Sequence, residues 1–526
     1  MALHMLFLLC VLPALGTAAT VQTGNEDSRF ALPEDLLLGA GVAAVQTEGA
    51  WNEGGKAESM VDFAIHSGRL GPMGFNHTNL HDRAADSYHR FQEDVKVAAD
   101  LKLQLYRMSI AWSRIMPDAN TSNPNIEAVA YYHSFIDEIL KYNMIPVVTM
   151  YHFDHPQILE DEFNGWMDKR MVAKFEEYVK FLLKEYGSKV NLWTSVNEPN
   201  VYCSYWNTMI ALARGRTMDS ISDLNLYPCL HNFLLGHGVA NKAFREGNYQ
   251  GKIGFTVTTL LSVPASSAAE DVYASEAYNQ MFAGMLLNPL VNGDYPQLVK
   301  NIVGDKLPKF SEDEKAMLKN STDYIGLNVY YGMVVSYKDP ATPRRPVDVP
   351  LRQLFKEANF MNVGYRSPTG ESLDQFPSTM IAPEAMRSAL LWTWFSYNVP
   401  IMITENGIGF PGVHDHLRAV YHSAFMRSMV STIHEFGTKI IGYCAWSLID
   451  SYEWSKGFSI PYGLVHVDYE NGTLKRTLKD SSSFWLEMAE RRVVPLVEPE
   501  SSSSAGVHFT PAALALAVLA SLFNAA

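Results

Sequence analysis

LWTSVNEPN, residues 192–200, starts as a buried strand and stops at a charge. Leu192, Trp193 and Val196 are apolar, with Thr194 and Ser195 between them, and the run breaks off at Asn197-Glu198-Pro199. A carboxylate at the end of an apolar strand is costly to bury unless something pairs with it or uses it. Working outward, seven more short apolar runs of this kind appear: LLLGAGVAA (36–44), LYRMSIAW (105–112), MIPVVTMYHF (144–153), KIGFTVTTL (252–260), DYIGLNVYYG (323–332), IMITENGIG (401–409) and IIGYCAWSLI (440–449). The stretches between them carry helical spacing, as in DSYHRFQEDVKVAADLKL (86–103) and DKRMVAKFEEYVKFLLKEYG (168–187). In the latter, Val172, Phe175, Val179, Phe181 and Leu182 fall near one helix face.

Eight strand-and-helix units in one stretch, without a linker or charge block, predict an α/β protein: a single (β/α)8 TIM barrel with long βα loops over residues 28–497. That is longer than the ~250 residues usual for the fold, which insertions between units accommodate. In such a barrel, catalytic groups stand where strands end and loops begin. Glu198 stands at the end of the fourth run.

The 526-residue chain is 47% hydrophobic, ample for a large core, and its net charge of −14 shows no basic stripe for nucleic acid. No Cys-x-x-Cys or His-rich spacing suggests a metal, and no cofactor is implied. Both ends read as processing signals. MLFLLCVLPALG followed by TAAT resembles a secretory signal peptide over residues 1–19. Residues 498–526 pair a Ser-rich segment (Ser501 to Gly506) with an apolar tail, the order of a GPI-attachment signal. Asn76, Asn120, Asn320 and Asn471 each open an Asn-x-Ser/Thr triplet. The expectation is therefore a glycoprotein that is secreted or held at the outer cell surface by a lipid anchor. Outside the signal, Cys203, Cys229 and Cys444 remain, an odd number. Cys203 and Cys229 are candidates for a disulfide, and Cys444, in an apolar run, for a small buried hydrophobe.

If Glu198 is catalytic, a second acid is needed, and IMITENG places Glu405 at the end of the seventh run. Two glutamates facing each other across a barrel mouth are the machinery of glycoside hydrolysis, one giving its proton to the leaving oxygen and the other attacking the sugar carbon or activating water. TSVNEPN and ITENG, in this order, resemble the two signatures of the family 1 glycoside hydrolases, the β-glucosidase family. The resemblance runs along the mature chain, through FALPEDLLLGAGVAAVQTEGAWNEGGK, YRMSIAWSRIMP, VVTMYHFDHPQ, DYIGLNVYYG and WSLIDSYEWSKGFSIPYGLVHVDY. It implies a retaining mechanism with Glu198 as acid/base and Glu405 as nucleophile. It further implies that Asn197 holds the sugar 2-OH, and that Arg107 and Tyr330 contact Glu405. Gln46, His152, Glu453, Trp454 and Tyr462 would line the sugar pocket, with Trp446 as its flat floor.

Departures from the family pattern cluster near these pockets. Phe153 follows the third-strand histidine where Trp is usual, which removes an N–H donor, and His155 stands where Leu is common. SMVD (59–62) replaces SIWD, SYEW (451–454) replaces NFEW, and Tyr462 stands where Phe is frequent. They imply an altered substrate rather than lost chemistry. The leading expectation is a β-glycosidase, similar to secreted insect members, that removes a terminal glucose, or a galactose or fucose, from a small glycoside. Thioglucosidase (myrosinase) action on glucosinolates, a non-catalytic sugar-binding role and sugar transfer to an alcohol are the alternatives. Plant thioglucosidases often carry Gln at the acid/base position, whereas this chain has Glu198. The aglycone and the oligomeric state are left open.

Overall fold

The computed structural model describes residues 26–75, 78–222, 224–339, 356–373 and 381–499. The stretches expected to be a signal peptide and an anchor signal fall almost wholly, and Asn76 falls wholly, outside the described residues. Eight strands, β1 (Leu37–Gly41), β2 (Leu105–Ser109), β3 (Ile145–Tyr151), β4 (Leu192–Asn197), β5 (Lys252–Thr259), β6 (Tyr324–Val329), β7 (Ile401–Asn406) and β8 (Ile440–Trp446), close into a barrel in sequential order. Every neighbouring pair is parallel, β8 returning to β1 with Leu37 opposite Gly442 and Gly41 opposite Trp446. A parallel strand is covered on both faces, so its sequence reads as a continuous apolar run rather than an alternating one. That is why all eight runs are strands.

One barrel layer is an apolar cluster of Leu105, Val147, Tyr324, Met402 and Cys444, all fully buried. It plugs the barrel beneath the mouth. Gly254 on β5 makes room for it: a Cβ there would lie 2.4 Å from the Tyr324 ring. Outside the strands, Arg170–Tyr186 is a helix that buries Met171, Val172, Phe175, Tyr178, Val179, Leu182, Leu183 and Tyr186. Phe181 lies at the border of that face and is half-buried. Trp112, just past β2, stacks on Tyr178 with ring centres 4.5 Å apart, tying the helical layer to the mouth.

The added length is spent at the C-terminal ends of the strands. Ser262–Pro264 after β5 and Met333–Tyr337 after β6 join Met361–Arg366 and Ser372–Leu373 in a separate four-stranded sheet. Cys203 and Cys229 form a disulfide across 26 residues, fastening the segment after β4 to the helix Tyr227–Glu246. Cys444 is free and buried.

Candidate active site

Two of the strand ends are irregular where the carboxylates stand. Between Thr194 and Asn197, β4 gains one residue on β5, whose partners are Gly254 and Thr256. Between Ile403 and Glu405, β7 gains one on β6, whose partners are Leu327 and Asn328. An extra residue in one strand of a ladder bends it and re-aims the side chains beyond it. Glu198 then takes a left-handed backbone (φ 45°, ψ 57°), unusual for a residue with a side chain. Its N–H still donates to Thr256 O at 3.0 Å, and its carbonyl accepts the N–H groups of Val201 and Tyr202, both at 3.0 Å. Pro199 starts the short helical turn that follows.

A chain of side-chain hydrogen bonds joins the two acids. The Arg107 guanidinium donates from Nη1 to Glu405 Oε1 (2.6 Å) and from Nη2 to Asn197 Oδ1 (2.7 Å). Asn328 donates from one Nδ2 to Asn197 Oδ1 (3.2 Å) and to Glu198 Oε1 (2.7 Å). Thr404 fixes Asn328 by donating its hydroxyl to Oδ1 at 2.6 Å. The Tyr330 hydroxyl donates to Glu405 Oε2 at 2.7 Å. Both oxygens of Glu405 therefore accept a hydrogen bond, as suits an anion held in one orientation.

Glu198 is held differently. It keeps a solvent-reachable face but is otherwise surrounded by protein. Burial, then the nearby Glu405 charge, pushes its pKa from 4.5 up to about 7. The two carboxyls thus sit in different environments: Glu405 accepts a donor on each oxygen, while Glu198 accepts one from Asn328 and is held back from ionising. That divergence is the pattern of an acid and nucleophile pair.

The remaining predicted residues surround them. His152 accepts from Asn197 Nδ2 at Nε2 (3.1 Å), so its neutral ring carries the hydrogen on Nδ1, where no protein partner is found. Burial, then Arg107, holds its pKa well below the usual 6.5, so the ring is a neutral donor aimed at no protein group. Trp446 is buried beneath Arg107 and stacks on His152, ring centres 6.1 Å apart. Glu453 is buried, accepts from the Ser451 hydroxyl at 2.7 Å, and is pushed up to about 8 by burial. Trp454 packs against Phe153 and Trp206, and Tyr462 against Tyr330. Gln46 donates to Tyr452 O at 2.8 Å, tying the loop after β1 to the loop after β8 that carries Glu453.

His155, which departs from the family pattern near the pockets, is fully buried and both ring nitrogens are engaged, by Tyr151 and Glu160. It is a structural residue. Asn328 was missed. Its signal was present: an amide inside the apolar run DYIGLNVYYG is costly to bury unless it is bonded. Of the candidate glycosylation sites, Asn120, Asn320 and Asn471 are exposed, and Asn76 lies outside the described residues. Among the described residues, no group of three or more His, Cys, Asp or Glu side chains is arranged to hold a metal ion.

The family signature of glycosyl hydrolase family 1 matches residues 28–493, nearly the whole described chain. The chain belongs to glycosyl hydrolase family 1. This family 1 member is a β-glycosidase, and its relatives are spread across kingdoms. It is similar to the acyl-glucose-type cyanidin 3-O-glucoside 7-O-glucosyltransferase of Delphinium grandiflorum, 34% identical over 88% of this chain and 90% of that one. It is also similar to myrosinase 1 of Brevicoryne brassicae, at 32% identity over 87% and 98%. Among solved structures, a rice β-glucosidase superposes with a TM-score of 0.78 at 29% identity, covering 89% of this chain and all of that one.

Proposed function

We propose that this family 1 enzyme hydrolyses terminal β-D-glucosyl residues from small glycosides with retention of configuration. In the first step, a Glu405 oxygen forms a bond to the anomeric carbon as the glycosidic C–O bond breaks, and the Glu198 proton passes to the departing oxygen. In the second, a water oxygen bonds to the same carbon, its proton returns to Glu198, and the ester bond to Glu405 breaks. Arg107 and Tyr330 hold Glu405 in line for attack. Asn197, Gln46, His152, Glu453, Trp454 and Tyr462 receive the sugar hydroxyls over the Trp446 floor. The observation that carries this reading is the contrast between the two carboxyls: Glu405 takes donors from Arg107 and Tyr330, while Glu198 is raised to about 7, protonated enough to serve as an acid near neutrality.

A raised Glu198 favours O-glycosides, whose leaving groups need a proton, over thioglucosides. The test is turnover of an aryl β-glucoside by the purified protein and by Glu405→Gln, with the anomer of the released glucose read by NMR. Equal rates, or release of the α-anomer, would overturn the assignment.

The same reading extends to location: an exported glycoprotein, carried on a GPI anchor. The disulfide, which suits an oxidising compartment, and the exposure of Asn120, Asn320 and Asn471 support it. Release from membranes by a phosphatidylinositol-specific phospholipase tests the anchor, and retention on the membrane would refute it.

A further inference from the structure

Where the chain leaves β3 and β4 lies a buried polar cluster that the hydrolytic chemistry does not use. The Tyr151 hydroxyl donates to His155 Nδ1 at 2.8 Å, His155 Nε2–H donates to Glu160 Oε1 at 3.0 Å, and the Tyr202 hydroxyl donates to the same oxygen at 3.1 Å. One tautomer of His155 satisfies every bond. The other carboxyl oxygen lies 4.0 Å from Arg214. Glu160 and His155 are almost fully buried. Gly165 is required beside them, since a Cβ there would meet Glu160 Oε1 at 2.1 Å. A buried carboxylate with this many partners is a poor source of net stability, because apolar residues of similar volume do as well. What it supplies is a fixed geometry for whatever it touches.

It touches Tyr202, the residue whose backbone N–H closes the turn on the Glu198 carbonyl. Glu198 sits in the left-handed region, a conformation that persists only where the surroundings enforce it. Asn328 restrains its carboxyl, and the Cys203–Cys229 disulfide restrains the chain one residue beyond Tyr202. The Tyr202 side chain is a further restraint beside the backbone bonds to Thr256 and Val201, and it ends on Glu160.

We propose that the Tyr151–His155–Glu160 cluster, acting through the Tyr202 hydroxyl, is a positioning device for Glu198. It holds the first turn beyond β4 so that the Glu198 proton meets the departing oxygen. The proposal rests on the acid role assigned to Glu198 above.

The test compares kcat/KM, which reports glycosylation, on 2,4-dinitrophenyl β-glucoside, which leaves without a proton, and on phenyl β-glucoside, which needs one. Tyr202→Phe keeps the ring and its packing, and Glu160→Gln keeps the volume; unfolding midpoints verify that both fold. Both variants are expected to lose about tenfold to a hundredfold on the phenyl substrate and to stay within about twofold on the dinitrophenyl one. Glu198→Gln, the benchmark, is expected to lose ~10²–10⁴-fold on the phenyl substrate alone. Equal losses on both substrates, or none on either, in Tyr202→Phe and Glu160→Gln beside a selective Glu198→Gln would overturn the positioning role and leave the acid assignment standing. A Glu198→Gln variant without selectivity would overturn both.

Discussion

At the scale of single residues, the site works by giving two identical side chains opposite surroundings. Removing one donor from Glu405 should therefore weaken attack rather than binding. Tyr330→Phe deletes the 2.7 Å bond to Oε2, and hydrogen bonds to charged groups are worth about 1.5–3 kcal/mol. The expected result is a roughly tenfold to hundredfold fall in kcat/KM, carried mainly by kcat. Arg107→Lys should cost more than conservation of charge suggests, because one ammonium cannot serve both Glu405 and Asn197 as the guanidinium fork does. For Glu198 the measurement is a pH profile. The acid must hold its proton in the free enzyme, so kcat/KM on a phenyl glucoside should fall as pH rises through about 7. In Glu198→Gln that alkaline limb should disappear, and a limb that survives the substitution would assign the titration elsewhere.

At the scale of elements, the parts that read clearly in the sequence are those whose physics is local. LWTSVNEPN and IMITENG announce strands because burial on both faces makes them continuously apolar, and announce a site because each ends in a carboxylate. Asn328 stayed hidden because it lies inside such a run, and its partners come from β4 and β7. The separate four-stranded sheet was invisible for a related reason. Ser262–Pro264 and Ser372–Leu373 are too short to show any period, and their pairing is with distant chain. His155 could be seen as unusual but not placed, since its partner Glu160 looks like an ordinary helix acid. The disulfide acts at this scale as well. It closes a loop across 26 residues, for which chain entropy gives roughly 3.5 kcal/mol. Reduction, or Cys203→Ser, should lower the unfolding midpoint measured by circular dichroism, and an unchanged midpoint would argue that the segment is held by packing alone.

At the scale of the whole molecule, the acids confer a pH dependence on the fold itself. Glu198 is raised to about 7, and Glu453 and Asp154 to about 8, each chiefly by burial. Neither oxygen of Asp154 has a hydrogen-bond partner. In the unfolded chain such groups ionise near pH 4. Below about pH 6.5 these acids are opposed by His152, His231, His237 and His422, which burial keeps neutral in the folded protein while the unfolded chain protonates them. Between about pH 6.5 and 8 those imidazoles are neutral in both states and the folded acids still keep protons that the unfolded chain has released, so stability falls as pH rises there. Asp62 works the other way: burial opposes its charge, but Lys56 and His81 hold its pKa far below the usual value. Its contribution is lost as pH drops below about 4. The unfolding midpoint should decline from about pH 6.5 towards pH 8, less steeply in Asp154→Asn. A midpoint that climbs between about pH 6.5 and 8 would contradict this.

Cys444 lies in the layer that plugs the barrel, is the single free thiol among the described residues, and is pushed by burial to about 12. No thiolate forms there at ordinary pH, and no reagent reaches it while the strands stay closed. The enzyme therefore carries its own chemical reporter: the speed at which an added maleimide labels this sulfur is a stopwatch on the opening of the barrel, legible without any engineered probe.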